Sequence, residues 1–312
     1  MYREDSLKLA ETVFRNIQQY SNLTKRKFLL AKSPGGDQQF GIDKVAERAV
    51  FEILKKSKED VAYYSEGRGL VNLSKKPEYL FVIDPIDGTR PSAAGLESCT
   101  VSIAVAKYSK DAALKDVIFA LVKELKTGDY FVAEENKPIK FFRDGVAVKT
   151  TLSQNDSIEK MFWSIEFNGH PSKLMTSAYG HLIDASANTG GIFVFNSASF
   201  SITRIVSGQL DAYVDVGNRL LREHPLLEDN FKNAGKGGIL HLFPYDIAAA
   251  WFIATKKGVK ITDGFGEDLG DTLLTDLSFE NQRSCIAAAN NSLHKQIIKK
   301  INWDAIEFKR KL

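Results

Sequence analysis

Between residues 3 and 20 the apolar side chains Leu7, Ala10, Val13, Phe14 and Ile17 recur at helical spacing among charged and amide positions, which predicts an amphipathic helix. Residues 43–56 repeat the pattern through Val45, Ala46, Ala49, Val50, Ile53 and Leu54, with Asp43 read as the helix N-cap. The stretch 21–42 between them is polar, carries Pro34-Gly35-Gly36, and reads as a loop or irregular hairpin. Strand patterns then follow at 61–65, 79–83, 100–108, 116–123 and 129–134, with Lys126-Thr127-Gly128-Asp129 as a turn between the last two. Residues 135–160 are polar and read as a connector between two domains.

The second half alternates strands and helices. Strands are expected at 161–165, 190–195, 212–216, 259–262 and 285–289. Helices are expected at 171–186, 199–207, 247–257 and 292–302, the third opened by Asp246 and closed by Gly258. Residues 217–243 form a long polar stretch with little periodicity. Strand–helix alternation with a strand-rich first half argues for stacked layers of helices and sheets, with one domain over 1–155 and another over 156–312.

Composition narrows the function class more than the fold. The chain has 312 residues, 44% hydrophobic and 26% charged, with a net charge of +3. That is an ordinary globular balance, too weakly charged to argue for a nucleic-acid polymer or a membrane surface as partner. No apolar run approaches the length of a bilayer span, and the charged start lacks the apolar core of a signal peptide. Cys99 and Cys285 lie far apart and read as buried fillers in a reduced, cytoplasmic protein.

The candidate chemistry sits at Phe81-Val82-Ile83-Asp84-Pro85-Ile86-Asp87-Gly88-Thr89, an apolar strand running into two carboxylates, a glycine and a hydroxyl. Hard divalent cations such as Mg²⁺ take oxygen ligands. Glu66, Asp84, Asp87 and Asp246 would supply carboxylates, and the Ile86 carbonyl could face a cation if the chain turns at Pro85-Ile86. If the strands before Glu66 and Asp84 are parallel neighbours, both acids emerge at one sheet edge. Gly88 lets backbone approach a ligand, and amides near Gly88 and Thr89 could receive a phosphate oxygen. Asp-Pro and Asp-Gly are also common turn dipeptides, Asp246 alone would serve as a helix cap, and Glu66 alone as a solvated loop acid. The set taken together favours the metal reading. The nucleophile loop of haloacid dehalogenase-like phosphatases does not fit, because Pro85 stands at the nucleophile position. The five histidines show no zinc spacing.

These residues resemble the inositol monophosphatase family of metal-dependent phosphatases. Asp84-Pro85-Ile86-Asp87-Gly88-Thr89 is similar to the family's first signature. Tyr245-Asp246-Ile247-Ala248-Ala249-Ala250 with Gly258–Asp263 is similar to the second, with Tyr245 in place of the usual tryptophan. Ser207-Gly208-Gln209-Leu210-Asp211-Ala212-Tyr213 matches a third segment, and Lys32 and Asp43 keep the spacing of a family lysine and aspartate. The resemblance implies a layered α-β-α-β-α sandwich, often dimeric, with two or three Mg²⁺ ions. Glu66, Asp84 and the Ile86 carbonyl would hold the first ion, and Asp84, Asp87 and Asp246 the second. Thr89, paired with Asp43, would orient a metal-activated water near Glu66. Gly88 and Thr89 amides would hold the phosphate of a small phosphorylated polyol, sugar or nucleotide.

Three departures shape the expectations. Gly67 stands where the family has a second glutamate, and Arg68 follows it. Arg90 replaces a small hydroxyl residue and could reach a second anionic group on the substrate. Some 25 polar residues, including Arg219, Arg222, His224, Lys232, Lys236 and His241, separate Asp246 from Asp215, which corresponds to a family acid that contacts a substrate hydroxyl. That segment is read either as a lid that selects the substrate or as a surface excursion. The competing functional reading is a non-catalytic homologue that binds a phosphorylated metabolite.

Overall fold

The computed structural model describes residues 2–304. Helix α1 (Tyr2–Gln19), the short α2 (Leu23–Arg26) and a hairpin of β1 (Leu29–Lys32) and β2 (Gln38–Phe40) precede α3 (Gly41–Leu54). Next come β3 (Val61–Ser65), β4 (Gly69–Asn72), β5 (Tyr79–Asp87), α4 (Thr89–Ala94), β6 (Thr100–Lys107), β7 (Val117–Glu124), β8 (Tyr130–Glu134), β9 (Lys137–Arg143) and β10 (Val146–Val148). These strands form one eight-stranded sheet in the order β10-β9-β8-β7-β6-β5-β3-β4. Every pairing in it is antiparallel except β3 with β5.

The second sheet has five strands. Its elements run β11 (Phe162–Ile165), α5 (Ser172–Ser186), β12 (Gly191–Phe193), α6 (Ala198–Ser207), β13 (Ala212–Asp215), α7 (Gly217–Glu223), α8 (Glu228–Ala234), α9 (Pro244–Lys257), β14 (Lys260–Thr262), β15 (Cys285–Ala288) and α10 (Asn291–Lys300). The strand order is β12-β11-β13-β15-β14.

Alternation along the strands decides which layer meets which. Tyr63, Phe81, Ile83, Val101, Ile103 and Leu121 face α1 and α3, where Leu9, Val13, Ala46 and Val50 complete a core. The intervening residues Ala62, Leu80, Val82, Ala104, Ala106 and Ala120 face the other way. They meet Ile202 and Ile205 of α6 and Ala248, Ala249, Ile253 and Ala254 of α9. Small side chains on both partners let α9 lie close to the sheet. The five-stranded sheet covers the far side of α6 and α9 through Tyr213, Ile261 and Ala287. Its outer face packs on α5 and α10 through Trp163, Met175, Leu182, Leu293 and Ile297. The layers therefore run α-β-α-β-α, as the resemblance implied. No helix among the described residues is long and apolar enough to cross a membrane.

Four expectations need correction. The polar stretch after residue 135 is not only a connector, since β9 and β10 form a hairpin there and its exposed face accounts for its polar composition. Residues 217–243 are not structureless, because α7, α8 and a turn of 3₁₀ helix (Pro225–Leu227) fill most of them. Asp43 is not the N-cap of α3. It is the third helical residue, and its Oδ2 accepts from the Phe40 amide at 2.7 Å. Asp246 likewise sits in the third position of α9, which starts at Pro244.

Candidate active site

Residues 84 and 87 differ by an odd number, so in a regular strand their side chains would point to opposite faces. Here Asp84 pairs with Ser102 and Asp87 with Thr100, which leaves one extra residue in β5. That bulge turns both carboxylates the same way. The Asp84 carboxylate accepts from the Ile86 amide at 3.0 Å, and the Thr89 hydroxyl donates to the Ile86 carbonyl at 3.0 Å. The chain then passes Gly88 at φ +86°, the N-cap of α4. A Cβ there would lie 2.5 Å from the Ser98 carbonyl oxygen and 3.0 Å from the Ser197 Cβ, so only glycine fits.

Asp87 is held from across the molecule. Its Oδ2 receives the Ser197 hydroxyl at 2.8 Å, the Ser199 amide at 2.6 Å and the Ser199 hydroxyl, all at the start of α6. Asp246 arrives from the first turn of α9, where its Oδ2 accepts from the Phe243 amide at 2.7 Å and completes a capping box. Carboxylate oxygens of Asp84, Asp87 and Asp246 all lie within 4.8 Å of one another.

Glu66 follows β3, and its amide donates to the Ile83 carbonyl, extending the parallel pairing with β5 by one step. It therefore opens into the same cleft as Asp84. Gly67 and Arg68 turn away from the cleft. The Gly67 amide donates to Glu47 Oε1 at 2.7 Å, while Arg68 lies 3.6 Å from Glu47 and over the Phe51 ring. Asp43 Oδ1 has no hydrogen-bond partner, and the nearby Thr89 hydroxyl favours the ionised form of that carboxyl.

The electrostatics of this group are unusual for a stable protein. Burial, then Glu66, Asp87 and Asp246, push the Asp84 carboxyl well above its ordinary range. Burial and Asp87 do the same for Asp246, and burial, Asp43 and Asp37 for Glu66. Burial raises Asp43 to about 7. The single arginine or lysine among the described cleft residues, Arg90, is bound in a fork by Asp37, with contacts of 2.9 and 3.3 Å. Among the described residues no cationic side chain pairs with the three clustered acids. Oxygen donors alone, unpaired and partly desolvated, are a set suited to hard divalent cations. The residues present therefore fit Mg²⁺.

The opposite wall of the cleft comes from the second sheet and the segment after it. Glu166, Asn168 and His170 follow β11, Asp215 ends β13, and Leu240 and His241 precede α9. Burial raises Glu166 and Asp215 to about 7 each. Of the cationic and histidine positions expected in the 217–243 segment, only His241 lines the cleft. Arg219 stacks on Trp303 and pairs with Glu223, while Arg222 donates to the Phe279 and Glu280 carbonyls, so both brace the segment against the body. Lys32 donates to the Lys236 carbonyl at 2.7 Å, joining the β1–β2 hairpin to this segment. The cleft is half open to solvent and holds a cavity of about 80 Å³ at its floor.

Sequence reasoning missed Asp37, Ser197, Ser199, Glu166 and His170. Only the serines carried a local signal, Asn196-Ser197-Ala198-Ser199 at a helix start, and their target lies 110 residues away.

Comparison with known proteins agrees with this geometry. A model of the inositol monophosphatase family matches residues 5–304. A fructose-1,6-bisphosphatase/inositol-1-monophosphatase of Archaeoglobus fulgidus is 27% identical over 83% of this chain and 82% of its own length. A bifunctional NADP phosphatase/NAD kinase of Methanococcus maripaludis is 23% identical over 95% of this chain, which spans about half (48%) of that relative's length. Among solved structures, the extragenic suppressor protein suhB of Bartonella henselae superposes with a TM-score of 0.69 at 18% identity, covering 96% of this chain and 97% of its own. A Thermotoga maritima IMPase does so at 0.67 and 21%, covering 99% of each. At such identities these superpositions speak to the fold.

Proposed function

We propose that this chain, which belongs to the inositol monophosphatase family and is accordingly a phosphatase, hydrolyses a small phosphomonoester with the help of Mg²⁺. The observation that carries the reading is the group Asp84, Asp87 and Asp246, three carboxylates with no cation of the protein's own, beside the glycine-opened start of α4. Asp84, Asp87 and Asp246, with Glu66 and the Ile86 carbonyl, would hold two or three ions. When bound, such ions lower the pKa of water and stabilise the attacking and leaving oxygens of an in-line displacement.

The remaining work falls to the chain's own atoms. The Gly88 and Thr89 amides, at the start of α4, receive phosphate oxygens. The Thr89 hydroxyl donates its hydrogen bond to the Ile86 carbonyl, so its oxygen is left as an acceptor that orients the attacking water. Glu66, which opens into the same cleft, would take a proton from that water. Asp43 Oδ1, in the first turn of α3, is the unpartnered acceptor nearest the Thr89 hydroxyl. Asp215 accepts a hydroxyl of the leaving group.

The test is phosphate release from inositol, sugar and nucleotide phosphates with and without Mg²⁺, for wild type and Asp84→Asn. Magnesium-dependent turnover lost in the variant is the expected result. Turnover that survives chelation, or full activity in Asp84→Asn, would sink the assignment.

A further inference from the structure

Beside the cleft, the chain leading into the β1–β2 hairpin puts large apolar side chains in water. Phe28, Leu29 and Leu30 follow one another with 65%, 55% and 43% of their surface exposed. Successive side chains of a strand point to opposite faces. Phe28 and Leu30 line one groove with Tyr20, Lys25 and Lys44, so Leu29 stands on the other side, and all four residues of β1 are exposed. Leu23, at the start of α2, is exposed as well. A run of three such residues marks a surface that meets something other than water.

The rim of this patch is basic. Between Glu11 and Asp37 the chain has no acidic residue and carries Arg15, Lys25, Arg26, Lys27 and Lys32. Arg26 turns inward to the Tyr20 and Ile17 carbonyls, and Lys32 is held by the Lys236 carbonyl. Lys25 and Lys27 stay exposed beside Phe28. On α3, Lys44 and Arg48 are exposed and four residues apart, so they share a face. None of Lys25, Lys27, Lys44 and Arg48 forms an ion pair among the described residues. The net charge of +3 averages this local concentration away.

We infer that this face docks on an anionic lipid bilayer, with Phe28, Leu29 and Leu30 in the headgroup region and Lys25, Lys27, Lys44 and Arg48 on lipid phosphates. Lysine and arginine keep their charge at headgroup level while their stems lie along apolar surface. Two observations favour a bilayer over a protein. Apolar side chains leave both faces of β1, and a folded partner would cover one face and leave the other wet, whereas a fluid interface covers both. A two-fold contact with a second copy would set each basic rim against its own kind. The contact is peripheral, since no helix among the described residues can cross a membrane. The same hairpin carries Asp37 to the cleft, so docking keeps the cleft close to the bilayer.

The experiment floats the full chain with vesicles of phosphatidylcholine alone and of phosphatidylcholine with about a third phosphatidylglycerol. Wild type should float with the anionic vesicles, bind the neutral ones at least about tenfold more weakly, and be released by about 0.5 M salt. Each lysine near an anionic surface contributes about fivefold to partition, so Lys25→Glu with Lys27→Glu should weaken binding by about 25-fold or more. Phe28→Ser with Leu29→Ser should weaken it by at least about tenfold at unchanged charge. All four positions are exposed, and an unchanged thermal midpoint checks that the variants fold. No flotation of wild type with anionic vesicles, equal binding to neutral ones, or full binding by either folded variant would overturn the inference. Binding to a glutamate–tyrosine copolymer without binding to vesicles would overturn it in favour of an acidic protein. A wild-type dimer that Phe28→Ser with Leu29→Ser splits, again without vesicle binding, would overturn it in favour of a second copy. If a variant does not fold, the wild-type dependence on lipid charge and salt decides. The phosphatase reading stands or falls apart from every one of these outcomes.

Discussion

Replacing Asp246 with asparagine should make the metal-free protein more stable while removing its turnover. The clustered oxygens of Asp84, Asp87 and Asp246 lie within 4.8 Å of one another. At that separation two unit charges repel by ~3.5 kcal/mol at an effective dielectric constant of about 20. Protonation already relieves part of the strain, because burial raises all three carboxyls and the neighbouring acids raise Asp84 and Asp246 further. The net gain from the variant is therefore smaller, about 1–2 kcal/mol. Asparagine keeps an oxygen for the Phe243 amide, so the start of α9 survives. In a thermal melt with chelator, that gain should raise the midpoint by ~1.5–3 °C. Added Mg²⁺ should raise the wild-type midpoint by mass action and the variant's much less. Phosphate release should fall by about a hundredfold or more. A lower midpoint in chelator, or an unchanged response to Mg²⁺, would refute the account of these acids as a mutually repelling group held ready for cations.

Three further outcomes follow from the same geometry. Gly88→Ala forces a left-handed backbone and a 2.5 Å contact with the Ser98 carbonyl, which together should cost about 2–4 kcal/mol in a denaturant titration; a loss under about 1 kcal/mol would contradict the packing. Ser199→Ala removes a hydroxyl from Asp87 and from Thr100 and should shift the Mg²⁺ activation midpoint upward by about tenfold or more; an unmoved midpoint would count against that support. Glu166 and Asp215 hold protons up to about pH 7 when folded but only to about 4 when unfolded, so chelated protein should lose stability as pH rises from 4 to 7; denaturation at pH 5, 6 and 7 checks this, and a rise across the range would reverse the sign.

The layered fold was legible where burial leaves a period. Strands such as Val61–Ser65, and helices such as Tyr2–Gln19, carry their apolar residues at the expected spacing. The β9–β10 hairpin was not legible, because it lies on the sheet edge with most side chains in water, and an exposed strand of lysine and arginine looks like a linker. Helices α7 and α8 have seven residues each, too short for a helical period to stand out. Much of what holds α7 is a stack of Arg219 on Trp303, a long-range contact with no local trace. The carboxylates themselves were readable because strand ends and helix starts announce them. Their supports were less so. Asp43 and Asp246 were assigned one role and hold a neighbouring one, third residue rather than cap, since both positions favour acids. The pairing of His170 with His241 depends on two loops meeting, which spacing does not encode.

The clasp on Asp87 bears on how the protein comes into being. A ribosome releases the chain from its N-terminus, at about 5–20 residues per second. Asp84 and Asp87 emerge long before Ser197 and Ser199, and roughly 160 residues before Asp246. For about 8–30 s the nascent sheet carries two crowded acids and an uncovered apolar face awaiting α6 and α9. The first sheet can pair early, but the site is complete only once Asp246 has emerged. A truncated product ending before residue 246 would expose that face with no activity to show for it, a natural target for chaperones and proteases.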